Sequence, residues 1–210
     1  AVDVAMVGAA LGTSAVAGVG FAGPFWGLAF AIGGGVAGGT IAMVSQRYGA
    51  EAYDELGLSV RSSTLLVILI SLPVTAVFLL FPAELVDLLS DDAQAVAYGA
   101  AYLQVVGLGI PFAGLNLVGG RVLVGADDAY TAMQVRAGGA VVNIGLNAVF
   151  IFGLGLGVRG AALGTVLSNV IAVTVFAIGI TQGRAPLVGE FPVTIAARGE
   201  YLDGPTIRDL

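Results

Sequence analysis

The stretch Gly138–Asn169, GGAVVNIGLNAVFIFGLGLGVRGAALGTVLSN, sets Asn143 and Asn147 four residues apart inside an apolar run long enough to cross a bilayer. A glycine-rich turn follows, and a second apolar run then carries Thr165 and Ser168. An amide brings donors and acceptors that hydrocarbon cannot satisfy. Four residues is about one helical turn, so both amides leave the same face of one helix. That face must look at other helices or at a wet cavity. In a membrane protein such a polar line either moves something or holds helices together.

Composition extends this reading to the whole chain. Its 210 residues are 58% hydrophobic and 10% charged, with a mean hydropathy of +0.98. Soluble domains carry roughly 25% charged residues, so the chain reads as an integral membrane protein. Its 33 glycines suit membrane helices, where small residues let backbones approach closely. Cysteine and histidine are both absent, which removes disulfides, thiolate metal sites and the usual proton shuttle. All eight basic residues are arginine, and the net charge is −6, a balance that argues against nucleic acid as a partner. Acidic loops without lysine resemble the proteins of salt-loving archaea. No Ser/His/Asp set, phosphate-binding loop or HExxH pattern occurs, so no enzyme is expected. The chain opens on Ala1-Val2-Asp3 within an apolar stretch, without methionine or a signal-peptide pattern, and closes on a polar segment. It is therefore expected to be a fragment of a longer protein.

Hydropathy predicts an all-α bundle of about six membrane helices, the first one truncated. They run from Ala1 to about Leu11, Thr13 to about Ser45, and Leu58 to Phe81. Ala93 to Val124, Ala129 to Phe152 and Gly160 to Thr181 complete the set. Pro24, the cluster Gly33-Gly34-Gly35, Pro73 and Pro111 are the expected kink sites. If every run crosses once, Arg47, Arg61, Arg121, Arg136, Arg184, Arg198 and Arg208 fall on one side and Arg159 alone on the other. The positive-inside rule makes the first side cytoplasmic. The acidic connection with Glu84, Asp87, Asp91 and Asp92 is then external, in a multi-pass protein of the plasma membrane. Residues 1–182 form the membrane lobe, and 183–210, with Pro186, Pro192 and Pro205, read as a cytoplasmic linker. The run Pro205–Leu210 could start a further element.

Each polar position carries two readings. Asp3 is either an interfacial residue or an ion or proton site, and a carboxylate at the bilayer centre costs about 2.5–3.5 kcal/mol. Asn143 and Asn147 are either interhelical glue, worth about 0.6 kcal/mol per bond, or neutral oxygens for a cation shell or a substrate. Thr165 and Ser168, with Ala161 on the same stripe, are explained by helix packing alone. Asn116 follows Pro111 by five residues, where a freed carbonyl and a bend favour a cavity. Gln104 and Tyr102 are weaker candidates on that helix. Phe21, Phe25 and Trp26 read as lipid-facing or packing aromatics.

Together these segments resemble the multidrug and toxic compound extrusion (MATE) transporters. The resemblance lies in Val2-Asp3-Val4-Ala5-Met6-Val7-Gly8, Ser45-Gln46-Arg47-Tyr48-Gly49-Ala50, Gly109-Ile110-Pro111-Phe112 with Asn116 and Gly125-Ala126-Asp127-Asp128, Val142-Asn143-Ile144 through Gly153, and Gly157 to Thr165. It implies one six-helix lobe of a twelve-helix transporter, with a second, C-terminal lobe as partner in the bilayer. It further implies export of small organic cations and drugs in exchange for sodium or protons. Coupling would fall on Asp3, Asn143, Asn147 and Thr165, with Asn116 lining the same cavity. From the residues themselves, Asp3 is the expected sodium ligand, and Gln104 and Ser168 join Asn116 as expected substrate-cavity residues. The position of Asn147 is an aspartate in several family members, so one negative charge is absent here. The implied mechanism is alternating access, with ion binding at Asp3 shifting the first helix. Two competitors stay open. A lipid-linked oligosaccharide flippase of the same superfamily would need more cationic residues inside than the sequence offers, and a non-transporting bundle would use its amides only as glue.

Overall fold

The structure, a computed structural model, describes residues 2–196, 199 and 201. Ala1, Arg198, Arg208 and the run 205–210, all used in the sequence reading, lie outside the described residues.

Eight α-helices account for nearly all of it: α1 (Val2–Leu11), α2 (Thr13–Gly49), α3 (Tyr53–Leu80), α4 (Pro82–Asp87), α5 (Ala93–Gly107), α6 (Ile110–Gly125), α7 (Ala129–Ala148) and α8 (Gly157–Gln182). Four spans are long and apolar enough to cross a membrane: α2, α3, α7 with its extension, and α8. The bent pair α5–α6 makes a fifth, and α1 is shorter. At 1.5 Å per residue, the 26 residues of α8 reach about 39 Å, more than the ~30 Å hydrocarbon core. Their outer surface is lipid-like. Leu69, Leu72 and Leu80 on α3, Val141 and Ile144 on α7, and Leu167 and Ile171 on α8 are all exposed, far more apolar surface than water tolerates.

Two apolar clusters stack along the bundle. One gathers Val44, Leu56, Leu123, Ala126, Ala132 and Ile180, beside the α2–α3 and α6–α7 turns. The other gathers Val7, Ala15, Val86, Ile151 and Val158, beside the α1–α2 corner, α4 and the α7–α8 turn. Alternate connections thus collect at opposite ends, as single crossings require. Glycines set the closest approaches. A Cβ on Gly18 would lie 2.5 Å from the Ala95 carbonyl, and one on Gly99 2.7 Å from the Gly18 carbonyl, so α2 and α5 cross backbone to backbone.

The breaks have local causes. Gly12 sits at φ +83°, a left-handed conformation that glycine adopts freely, and Gly8 meets Val16 across that corner. The expected fourth helix is split at Leu108–Gly109, and its halves meet at 54°. Pro111 lacks the N–H that would bond the Gly107 carbonyl. The Thr75 hydroxyl donates to that carbonyl instead, at 3.2 Å. Pro24 and the Gly33–Gly35 cluster, by contrast, lie within one unbroken 37-residue helix. The acidic connection contains the short helix α4, started by Pro82. α7 ends in a π-helical turn, Val149–Gly153.

Beyond α8 the chain stays on the bundle. Two short strands, β1 (Arg184–Ala185) and β2 (Gly189–Glu190), form a hairpin. Phe191, Val193 and Ile195 then alternate into the first apolar cluster, the period of an extended chain with one face buried. The Ile195 N–H donates to the Ile180 carbonyl at 2.8 Å, Arg61 Nη1 to the Ala196 carbonyl at 3.3 Å, and the Ser62 hydroxyl to the Tyr201 carbonyl at 2.8 Å.

Candidate functional site

On α7 the spacings of seven and four place Arg136, Asn143 and Asn147 on one face. On α8, Thr165, Ser168 and Asn169 occupy the turn between its two apolar clusters. α1 brings Asp3 to these residues, and α6 brings Asn116. Asp3, Asn116, Asn143, Thr165 and Ser168 all line one cavity of about 220 Å³, together with Arg136 and Asn169. Five of the seven residues assigned from the sequence to the coupling site or the substrate cavity therefore meet in one space.

Hydrogen bonds fix most of its walls. Asn147 Nδ2 donates to Asn143 Oδ1 at 3.3 Å. Asn143 Nδ2 donates to the Thr165 hydroxyl at 3.4 Å and the Ser168 hydroxyl at 3.5 Å, distances at the weak end of the range. The two hydroxyls donate back along α8, to the carbonyls of Ala161 and Thr165. Asn116 Nδ2 donates to Asn169 Oδ1, and Asn169 Nδ2 to the Thr165 carbonyl, both at 2.9 Å. Asp3 is half-buried and has no hydrogen bond or ion pair among the described residues.

The other two residues stand elsewhere. Asn147 is fully buried and lies one layer behind the cavity, reaching it through Asn143. Its Oδ1 is buried without a hydrogen-bond partner, pressed against the backbone of Gly164, where a Cβ would lie only 1.9 Å away. Gln104 is exposed on α5 and does not line the cavity. Residues two apart do not share a helix face, and α5 turns Tyr102 inward instead. The Tyr102 hydroxyl interacts with the Thr165 side chain and lies within electrostatic reach of Asp3.

Two polar lining residues, Asn169 and Arg136, were not among those singled out. Asn169 could have been found from its place four residues after Thr165. Arg136 had a signal too, two helical turns before Asn143, but served only as a marker of topology. A smaller cavity of about 70 Å³ shares Asn116 and Arg136 and adds Arg121. Both arginines are exposed.

No group of three or more His, Cys, Asp or Glu side chains gathers among the described residues. A cation held here would therefore meet one carboxylate and neutral oxygens, a hard donor set suited to a monovalent ion or a proton.

The MatE family model matches residues 1–149. The probable multidrug resistance protein YoeA of Bacillus subtilis is 25% identical over 86% of this chain and 40% of its own length. The multidrug export protein MepA of Staphylococcus aureus is 33% identical over 69% of this chain and 32% of its own. A solved inward-facing multidrug resistance MATE family transporter superposes with a TM-score of 0.88 at 26% identity, over 99% of this chain and 46% of that one. The chain thus spans less than half the length of the relatives it matches.

Proposed function

The chain belongs to the MatE family, whose members are multi-pass membrane transporters rather than enzymes, and on that premise we propose that it supplies one lobe of a secondary antiporter. The antiporter exports drug-like organic molecules in exchange for sodium ions or protons. The observation that carries this reading is the placement of the half-buried Asp3 in one cavity with Asn143, Thr165 and Ser168. A carboxylate that exchanges a proton for a cation is a simple coupling device. Neutral oxygens of Asn143 and Thr165 complete the shell, and Asn147 holds Asn143 in place from behind. Ion binding draws α1 toward α7 and α8, and the lobe passes between outward-open and inward-open states. Residues 183–210 then link the lobe to its partner on the cytoplasmic face of the plasma membrane. The acidic, lysine-free composition fits a host that grows at high salt.

The test is a sodium titration of the full-length transporter, wild type against Asp3→Asn, at low and high pH. Saturable binding that acid weakens and the variant abolishes is the expected result, with loss of coupled dye efflux in the folded variant. Efflux and sodium binding retained in Asp3→Asn would remove Asp3 from the mechanism. Absence of dye efflux in the wild type would favour the flippase or a non-transporting bundle.

A further inference from the structure

A further cavity, of about 270 Å³, lies on the far side of α6 from the polar cluster. Its floor is the stripe Leu115, Val118, Gly119 and Val122, whereas Asn116, Leu117, Gly120 and Val124 line the small cavity described above. At about 100° per residue the two sets centre on opposite faces of the helix. α3 and α8 wall the groove, with α6 between them. Thr64 and Thr181 belong to these walls, but each hydroxyl donates back to its own helix, to the Val60 carbonyl at 2.7 Å and the Ala177 carbonyl at 2.6 Å. The surface they leave is apolar. Ile195 and Ala196 close one end, held there by the bond from the Ile195 N–H to the Ile180 carbonyl. The mouth lies at Ala177 and Thr181, which are exposed and adjoin the face of α8 that carries the exposed Leu167 and Ile171. The groove is thus continuous with the lipid-like outer surface of the bundle.

An apolar recess of this size stays dry, and leaving it empty forfeits the dispersion contacts of its walls. On a lipid-facing surface the molecules that can fill it are acyl chains. Arg61 lines the end closed by Ala196, and its positive charge is complementary to a phosphodiester. We propose that this groove is a lipid site, which holds one acyl chain of a phospholipid from the leaflet on the α2–α3 side, with the phosphate toward Arg61. A lipid that only coats the protein touches exposed side chains. A seated chain reaches Val118 and Val122, which are 2% and 0% exposed. The inference does not depend on what the lobe transports.

The experiment places the full-length transporter in nanodiscs that contain phosphatidylglycerol with a diazirine near the end of one acyl chain. After illumination, the labelled residues are located by peptide mass spectrometry. Label on Val118 or Val173, in the floor and wall of the groove, is expected in the wild type. Ala177→Phe and Thr181→Phe each put a ring in the mouth at an exposed position, and each should cut that label about fivefold, because the ring takes the volume that the chain would fill. Ile171→Phe, exposed on α8 outside the groove, should leave it unchanged. Label confined to exposed residues such as Leu69, Leu72, Leu167 and Ile171 overturns the proposal, as does groove label that persists in the mouth variants or falls equally in Ile171→Phe. If one mouth variant does not fold, the other carries the comparison.

Discussion

At the scale of single residues, the contact between Asn147 and Gly164 is the tightest in the polar cluster. A methyl group on Gly164 would lie 1.9 Å from Asn147 Oδ1 and 3.2 Å from the Asn147 backbone nitrogen, so Gly164→Ala must push α7 from α8 or swing the amide off Asn143. Overpacking of this kind costs about 1–3 kcal/mol. A lowered unfolding temperature in Gly164→Ala is expected, with no such loss in Gly138→Ala, whose Cβ meets nothing within 4 Å. Equal shifts in the two variants would rule the contact out as a constraint. A second prediction concerns charge at the same place. Asn147→Asp puts a carboxylate at a fully buried position where one oxygen already has no partner. Burial disfavours the charged form, so the folded variant binds a proton more readily than the unfolded chain. Its stability relative to wild type should therefore rise as pH falls and, if the shell accepts sodium, rise with sodium as well. A pH-independent difference would show that water reaches the site. The polar cluster was legible because polar side chains are rare enough in this chain for spacing alone to align them. The layering of Asn147 behind Asn143 was not, since spacing fixes a helix face and not the depth of packing. Gln104 stands apart from the cavity for a related reason: chemistry made it a candidate, but its face of α5 is set by packing against α2 and α8.

At the scale of elements, the joint between α5 and α6 shows how a break is stabilised. Pro111 leaves the Gly107 carbonyl without its helical donor, and Thr75 of the neighbouring α3 supplies one. Thr75→Val is nearly isosteric and removes only that donor. It should destabilise the protein by about 0.6–1.5 kcal/mol, measured by unfolding in detergent. In a Pro111→Ala background the restored N–H can bond Gly107 itself, so the same substitution should cost less. An identical cost in both backgrounds would mean that the hydroxyl does not compensate for the proline. Hydropathy located the long helices to within a few residues, because lipid-facing surface forces long apolar runs. It merged α5 with α6, because both halves are equally apolar and only the proline marks the joint. It gave no hint that Pro24 would leave α2 continuous while Pro111 would mark a bend, since that depends on neighbours far away in sequence. Nor did it separate the docked start of the linker from a solvated one. The alternation of Phe191, Val193 and Ile195 was present in the sequence, but three residues are too few to distinguish a buried edge from a polar turn.

At the scale of the whole molecule, the bundle has two ends with different charge. The end with the α2–α3 and α6–α7 turns holds Arg47, Arg61 and Arg184, while Arg159 stands at the other, beside the α7–α8 turn. Arginine near a span resists translocation, so on the positive-inside rule we propose that the first end is cytoplasmic. The prediction is direct because the chain contains no cysteine, so a cysteine placed in this lobe has no native competitor within it. Asp91→Cys before α5 and Leu154→Cys after α7 should react with a membrane-impermeant thiol reagent on intact cells. Ala50→Cys after α2 and Tyr130→Cys at the start of α7 should react only after permeabilisation. The reverse pattern would invert the lobe and put the strap formed by Phe191, Val193 and Ile195 outside. A mixed pattern would break the single-crossing topology.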